Sequence, residues 1–251
     1  MKQLSLGVLV ASLVSCGSGA ASAPAQPQAD PGFTVLFNGK DLTNWKVPDG
    51  DNGHWKVVDG VIDYDAMSEA TGDKALWTQK EYADFVLRVE WRLKETPYIN
   101  PNVPIIRYDG THKKGPDGKE IKLSVPDSDS GIYLRGSSKS QVNIWCWPIG
   151  SGEIYSIRTD PKTPPDLRRA VTPITQADKP VGQWNHFEIT VRGGEVKVVL
   201  NDKPVIPGAR IPDMPARGRI GLQHHGGKRN GQWIGPPSLV QFRNISIKEL
   251  P

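Results

Sequence analysis

Three stretches of this chain place amides, a guanidinium, an imidazole and indole rings at every second residue. In Gly131 to Arg135, Ile132 and Leu134 take one face, and Tyr133 and Arg135 take the other. In Gln141 to Trp147, Val142, Ile144 and Cys146 share a face, leaving Gln141, Asn143, Trp145 and Trp147 opposite. In Arg219 to His225, Ile220, Leu222 and His224 alternate with Gln223 and His225. Successive side chains of a strand point to opposite faces, so neighbouring strands of this pattern would gather their polar residues on one surface. Amides and a guanidinium bond fixed hydroxyls while aromatic rings cover C–H faces, so such a surface suits a sugar. Plainer readings stand beside this one: Trp145 and Trp147 could pack in the core, and His225 could be a structural hydrogen-bonding group. The amides and guanidinium of Arg135, Gln141, Asn143 and Gln223 would all need partners if buried for packing alone, which favours a ligand surface.

Other chemistry has less support. His54 and His186 each stand singly beside a strand. Asp49-Gly-Asp-Asn-Gly53 has neither the spacing nor the terminal Glu of an EF-hand and reads as a turn. There is no His pair four residues apart, no Cys cluster and no Gly-rich phosphate loop. No cofactor is therefore expected; the alternative is a divalent metal at His224, His225 or nearby carboxylates. Cys146 lies between two indoles with no adjacent basic residue to lower its pKa, so it reads as a buried apolar thiol and not a nucleophile.

The elements that must position these residues are strands. Asp84 to Lys94 alternates Phe85, Leu87, Val89, Trp91 and Leu93 with Val86, Arg88, Glu90 and Arg92, the period of a half-buried strand. His186 to Arg192 and Val196 to Leu200 repeat it, joined by Gly193-Gly194 as a hairpin turn. Further strands are expected at Val35 to Phe37, Trp55 to Tyr64, Ala75 to Thr78, Ile132 to Arg135, Val142 to Trp147, Arg219 to His225 and Leu239 to Leu250. The last shifts phase between Phe242 and Ile245, which predicts a bulge. With 26 Gly and 22 Pro in 251 residues, a mainly helical protein is unexpected. The pattern predicts an all-β, antiparallel two-sheet sandwich of jelly-roll kind. Two connections, Glu95 to Asp127 and the Pro-rich Thr159 to Gly182, look like long loops that either carry function or are tolerated insertions.

Residues 1–15 read as a lipoprotein signal peptide. Lys2 precedes the apolar stretch Leu4 to Val14, which is too short to span a bilayer. Leu13-Val14-Ser15-Cys16-Gly17 resembles the bacterial lipobox, so Cys16 is the expected lipidation site. Residues 16–31, rich in Gly, Ser, Ala, Pro and Gln, form the expected flexible tether. Residues 32–251 are the expected single folded domain, which that lipid alone would hold to a membrane, on the periplasmic side of the outer membrane or at the cell surface. The formal net charge is +4, with basic residues scattered through the chain. Nucleic acid, which wants a clustered cationic stripe, is not an expected partner.

Phe33-Thr-Val-Leu-Phe-Asn-Gly-Lys-Asp-Leu-Thr-Asn-Trp45, Trp55-Lys-Val-Val-Asp-Gly60, Asp129-Ser-Gly-Ile-Tyr-Leu-Arg-Gly136, Gly221-Leu-Gln-His-His-Gly226 and Val240-Gln-Phe-Arg-Asn-Ile-Ser-Ile-Lys-Glu-Leu250 occur in that order. Together they resemble the 3-keto-disaccharide hydrolase domain family. The resemblance implies a concanavalin A-like jelly roll and an exported carbohydrate-active enzyme that cleaves glycosides already oxidised to a ketone at C3. The ketone acidifies the C2 hydrogen, so a base can remove it and the C1 substituent can leave, by elimination or, after water addition, hydrolysis. This requires a general base, donors for the enolate oxygen and a proton source. It does not require the paired carboxylates of ordinary glycosidases.

The chain departs from that pattern at one strand. Many family members read Tyr-Glu-Val-Gln-Ile where this chain has Ser140-Gln-Val-Asn-Ile144, so Gln141 replaces the acid, and an amide cannot act as a base. Glu153 and His225 are then the expected catalytic pair, His225 as base and Glu153 as its partner or acid. Tyr133, Arg135, Gln141, Asn143, Trp145, Trp147 and Gln223 are the expected substrate-binding residues, on a glycoside or oligosaccharide. The alternatives are a non-catalytic carbohydrate-binding module and a protein-interaction domain of laminin-G type.

Overall fold

The computed structural model describes residues 30–251. The expected signal peptide, the lipidation site Cys16 and all of the tether before Asp30 lie outside the described residues.

The alternating segments form two antiparallel sheets. The larger runs in the spatial order Lys203–Arg210, Glu195–Leu200, Asn185–Arg192, Phe85–Leu93, Val240–Glu249, Val61–Asp63 and Lys56–Val58, and Thr34–Val35 pairs with part of Val240–Glu249. The smaller runs Ser137–Trp145, Asp129–Leu134, Gly221–Leu222, Leu76–Thr78 and Trp45–Lys46. Apolar residues from the facing sides meet in one core: Ile132, Leu134, Val142, Ile144, Ile220 and Leu222 from the smaller sheet, and Leu87, Val89, Trp91, Phe187, Ile189 and Phe242 from the larger. Burying such faces is the main favourable term in folding, and it explains the strict alternation in Phe85–Leu93. On the outer face of the larger sheet, Arg88 meets Glu188 at 2.8 Å and Arg243 meets Glu90 at 2.7 Å.

The expected bulge is present. The register of Val240–Glu249 against Phe85–Leu93 slips between Arg243 and Ser246, where Asn244 has φ +49°. Arg192 and Glu195 pair across the Gly193-Gly194 turn, with Gly193 at φ +57°.

The two long connections are not structureless. Tyr98–Pro104 and Lys122–Asp127 pair as a hairpin, extended by the bridges Ile106 to His112 and Lys114 to Glu120. These strands carry Asn and Pro, pair with each other and stand outside both main sheets, so among their residues only Val103, Pro104 and Asp127 are fully buried. Two short helices, Tyr155–Thr159 and Pro165–Ala170, also appear where none was expected. Pro165 occupies a first-turn position whose missing N–H costs nothing.

Candidate functional site

The outer face of the smaller sheet is built by the same alternation that fills the core. In Asp129–Leu134, Ile132 and Leu134 are buried in the core, so Asp129, Gly131 and Tyr133 face outward. Asn143 pairs with Gly131, Gly221 pairs with Tyr133, and the Gln223 N–H donates to the Gly131 carbonyl over 2.9 Å. This register brings residues far apart in sequence to one cleft of about 300 Å³, lined by Asp129, Gln141, Asn143, Trp145, Trp147, Tyr155, Gln223, His225 and Pro236.

Gly131 has a specific task in that floor. A Cβ at this position would lie 2.4 Å from Gln141 Nε2, well inside van der Waals contact. Its absence lets the Gln141 side chain lie flat across the sheet and donate Nε2–H to Gln223 Oε1 over 2.5 Å. One wall is a stacked indole pair, Trp145 on Trp147, with ring centroids 4.1 Å apart and planes 7° apart. Tyr155 meets both edge-on, at 6.0 and 6.5 Å. Trp145 Nε1–H donates to the Gly150 carbonyl (2.6 Å), and Trp147 Nε1–H donates to Asp127 Oδ2 (3.0 Å), which also accepts from Asn100. Both rings are thereby fixed before any ligand arrives.

His225 is held from two sides. Its Nδ1 lies 2.6 Å from the Pro236 carbonyl, which can only accept, so Nδ1 carries the proton. In the neutral ring Nε2 then holds the lone pair; it has no protein partner and is not sealed from the cleft. The His225 N–H donates to Ser238 Oγ, whose own proton goes to the Asp129 carbonyl, tying the imidazole to the start of the neighbouring strand. Gly226, at φ +78°, lets the chain press against Pro236 and Pro237, where a Cβ would meet Pro237 Cα at 2.8 Å. Asp129 faces the same cleft. Burial pushes its carboxyl up to about 7, a protonated histidine at 225 pulls it back in part, and the Asp127 charge raises it further. The cleft thus pairs a basic imidazole nitrogen with a carboxyl group that keeps its proton near neutrality, the complement needed for moving two protons at one site.

Six of the nine expected residues meet here: Gln141, Asn143, Trp145, Trp147, Gln223 and His225. Tyr133 stands beside the cleft, 5.4 Å from Trp77 with planes 17° apart, its hydroxyl pushed up to about 12 by burial. Two expectations are corrected. Arg135 is 2% exposed, and its guanidinium is taken up by Asp84 and by the carbonyls of Ala83, Gly193 and Pro215, so it fastens strand ends and does not reach a ligand in the cleft. Glu153 is wholly buried beneath the wall. Its Oε1 accepts from Arg158 Nε over 2.5 Å, and burial raises its carboxyl to about 7 against the pull of that guanidinium. Glu153 acts through its backbone: the Asn143 N–H donates to its carbonyl, and the Gly152 N–H donates back to the Asn143 carbonyl.

Asp129 and Tyr155 were not anticipated. Asp129 could have been found, since it stands two residues before Gly131 and four before Tyr133 in the same alternation; Tyr155 arrives on a short helix that carries no periodic signal. His224 points the other way, accepting from or donating to the Tyr64 hydroxyl at 2.6 Å, and burial lowers its ring to about 4. Burial pushes the Cys146 thiol up to about 12. Among the described residues, no group of three or more His, Cys, Asp or Glu side chains converges as a metal site would require.

Comparison with known proteins agrees with this architecture. Two crystal structures of candidate glycosyl hydrolases from Parabacteroides distasonis ATCC 8503 superpose on the chain. One has a TM-score of 0.56 at 19% identity, covering 90% of this chain and 100% of its own. The other has a TM-score of 0.51 at 21% identity, covering 88% and 84%. At such identities the likeness establishes a shared fold. The curated proteins contain no match. The family model described as 3-keto-alpha-glucoside-1,2-lyase-like domain matches residues 32–248, nearly the whole described chain, and the protein therefore belongs to that family, the 3-keto-disaccharide hydrolases.

Proposed function

We propose that this cleft cleaves 3-keto-glycosides, with His225 Nε2 as the base and Asp129 as the proton donor. The observation that carries the reading is the pairing of an open imidazole nitrogen, its tautomer set by the Pro236 carbonyl, with a carboxyl group whose proton is retained up to about pH 7. His225 Nε2 takes the C2 hydrogen as a proton. The electrons of that bond, delocalised as an enolate through the C3 ketone, form a C1–C2 double bond as the C1–O bond breaks. The departing oxygen takes the Asp129 proton. The product is an unsaturated 3-keto sugar, and water added across its new double bond completes a hydrolysis. Asn143, whose Oδ1 has no partner within the chain, and the Gln141–Gln223 amide pair orient the sugar, while Trp147, backed by the buried ring of Trp145, covers its apolar face. Family membership supports the substrate class. The lipobox-like start supports action outside the cytoplasm.

The second reading is a carbohydrate-binding module. It is favoured by the fixed indole wall and by Gln141, an amide where many relatives carry an acid. Incubation with a 3-keto-glucoside bearing a chromogenic phenol separates the two. Release of the phenol by the wild type, lost in His225→Ala, supports the enzyme; sugar binding without release supports the module.

A further inference from the structure

The cleft occupies only one end of the outer face of the smaller sheet. A second and larger hollow, of about 890 Å³, opens at the other end, around Trp77, Lys46, Asp73, Arg217 and Arg219. Its size lies within the range of about 300–1,000 Å³ typical of small-molecule sites. The two hollows share a strand: counting back from His225 in the cleft, Gln223, Gly221 and Arg219 occupy successive positions of the same face. His225 lies four residue steps beyond Gly221, at most roughly 13 Å at the rise of a strand.

Gly221 does for Trp77 what Gly131 does for Gln141. A Cβ there would lie 2.7 Å from two carbons of the indole ring, so the ring rests directly on the backbone of the sheet. Its Nε1–H is held by Asp73 Oδ2 over 2.6 Å, and Tyr133 continues the same surface toward the cleft. The floor from His225 to Trp77 is therefore flat and aromatic at its far end, a shape that receives rings.

Arg219 stands one step beyond. Among the described residues its guanidinium meets no carboxylate within ion-pair distance, and its Nε is buried without any hydrogen-bond partner. The acids of this hollow do not serve it: Asp73 is bound to Trp77 and to the Ala75 N–H, while Asp49 and Glu81 are exposed. An uncompensated guanidinium beside a ring platform is suited to a planar anion, which it can bind through two parallel hydrogen bonds.

The geometry points to a leaving group of several rings ending in a carboxylate, lying over Trp77 with its acid on Arg219. This inference rests on the cleft being the site of bond cleavage.

Two 3-keto-glucosides with the same phenolic leaving oxygen test it, one ending at the phenol and the other extended by two further rings to a carboxylate. The ratio of their kcat/KM values is the readout, with an uncharged amide analogue of the long substrate as reference. The wild type is expected to favour the long acid by about tenfold, through KM. Arg219→Gln brings the acid down to the level of the amide, and Gly221→Ala, which lifts the indole off the sheet, reduces the preference for both long substrates. A wild-type ratio near one, or a ratio unchanged in Arg219→Gln, overturns the inference while leaving the proposed activity standing. If neither substrate is cleaved, the activity itself fails. Calorimetry with the free multi-ring carboxylate then decides the hollow alone: binding weakened by Arg219→Gln upholds an acid site, and equal or absent binding in both proteins overturns it.

Discussion

His225 donates its Nδ1–H to the carbonyl of Pro236 across 2.6 Å. This contact, made by a residue eleven positions later in the chain, decides which ring nitrogen is available for chemistry. Because Pro236 is also pressed against Gly226, the acceptor cannot drift away, and the imidazole presents Nε2 to the cleft in one tautomer.

His225→Ala is expected to lower kcat on a chromogenic 3-keto-glucoside by roughly 10²- to 10⁴-fold, the usual contribution of a placed base. Sugar affinity, measured by calorimetry with an uncleaved analogue, changes little. Retained turnover would remove His225 from the reaction.

The wild type is expected to lose activity as pH rises through about 7, where the Asp129 carboxyl gives up its proton, and Asp129→Asn is expected to lower kcat and to abolish that loss. A pH profile of kcat for both proteins checks this. A wild-type profile with no alkaline loss would argue against Asp129 as donor.

Stability carries the same signature. Asp129 and Glu153 have folded pKa values near 7, above their ordinary values of 3.8 and 4.5. Between about pH 4 and 7 the folded chain therefore binds more protons than the unfolded chain, and this contribution to stability falls as pH rises. His224, lowered from 6.5 to about 4, works in the opposite sense over most of that window, between about pH 4 and 6.5. Comparing Asp129→Asn with the wild type isolates one group: its melting temperature relative to wild type is expected to be higher at pH 8 than at pH 5.

Glu153→Gln leaves Arg158 charged and buried without its carboxylate. Breaking a buried pair in this way costs about 3–5 kcal/mol, to be read from urea unfolding. The expected kinetic effect follows the loss of folded protein, whereas a direct role in catalysis would lower kcat in the fully folded fraction.

Gly131→Ala would push Gln141 off the sheet and away from Gln223. A cost of about 1–3 kcal/mol is expected, as for other overpacked positions, together with a raised KM for the sugar. Gln141→Ala in the same background should recover most of the stability, because the clash is with that side chain.

Alternation of apolar residues was enough to determine two antiparallel sheets, their core faces and the slip beyond Phe242, because a strand's side chains alternate whatever it pairs with. The same rule placed Asn143, Gln223 and His225 outward. It could not tell where Arg135 or Glu153 would find partners. Arg135 turns to Asp84 and three carbonyls brought in by distant turns, and Glu153 is sealed against Arg158, a residue on a helix too short to leave a periodic trace. Nor could it show that Asp129 would lose enough water to keep a proton near neutrality, since desolvation depends on everything that closes around a group in three dimensions. Periodicity is a property of the local chain, but charge pairing and burial are properties of what the completed fold brings alongside, and those decided which polar residues form the site.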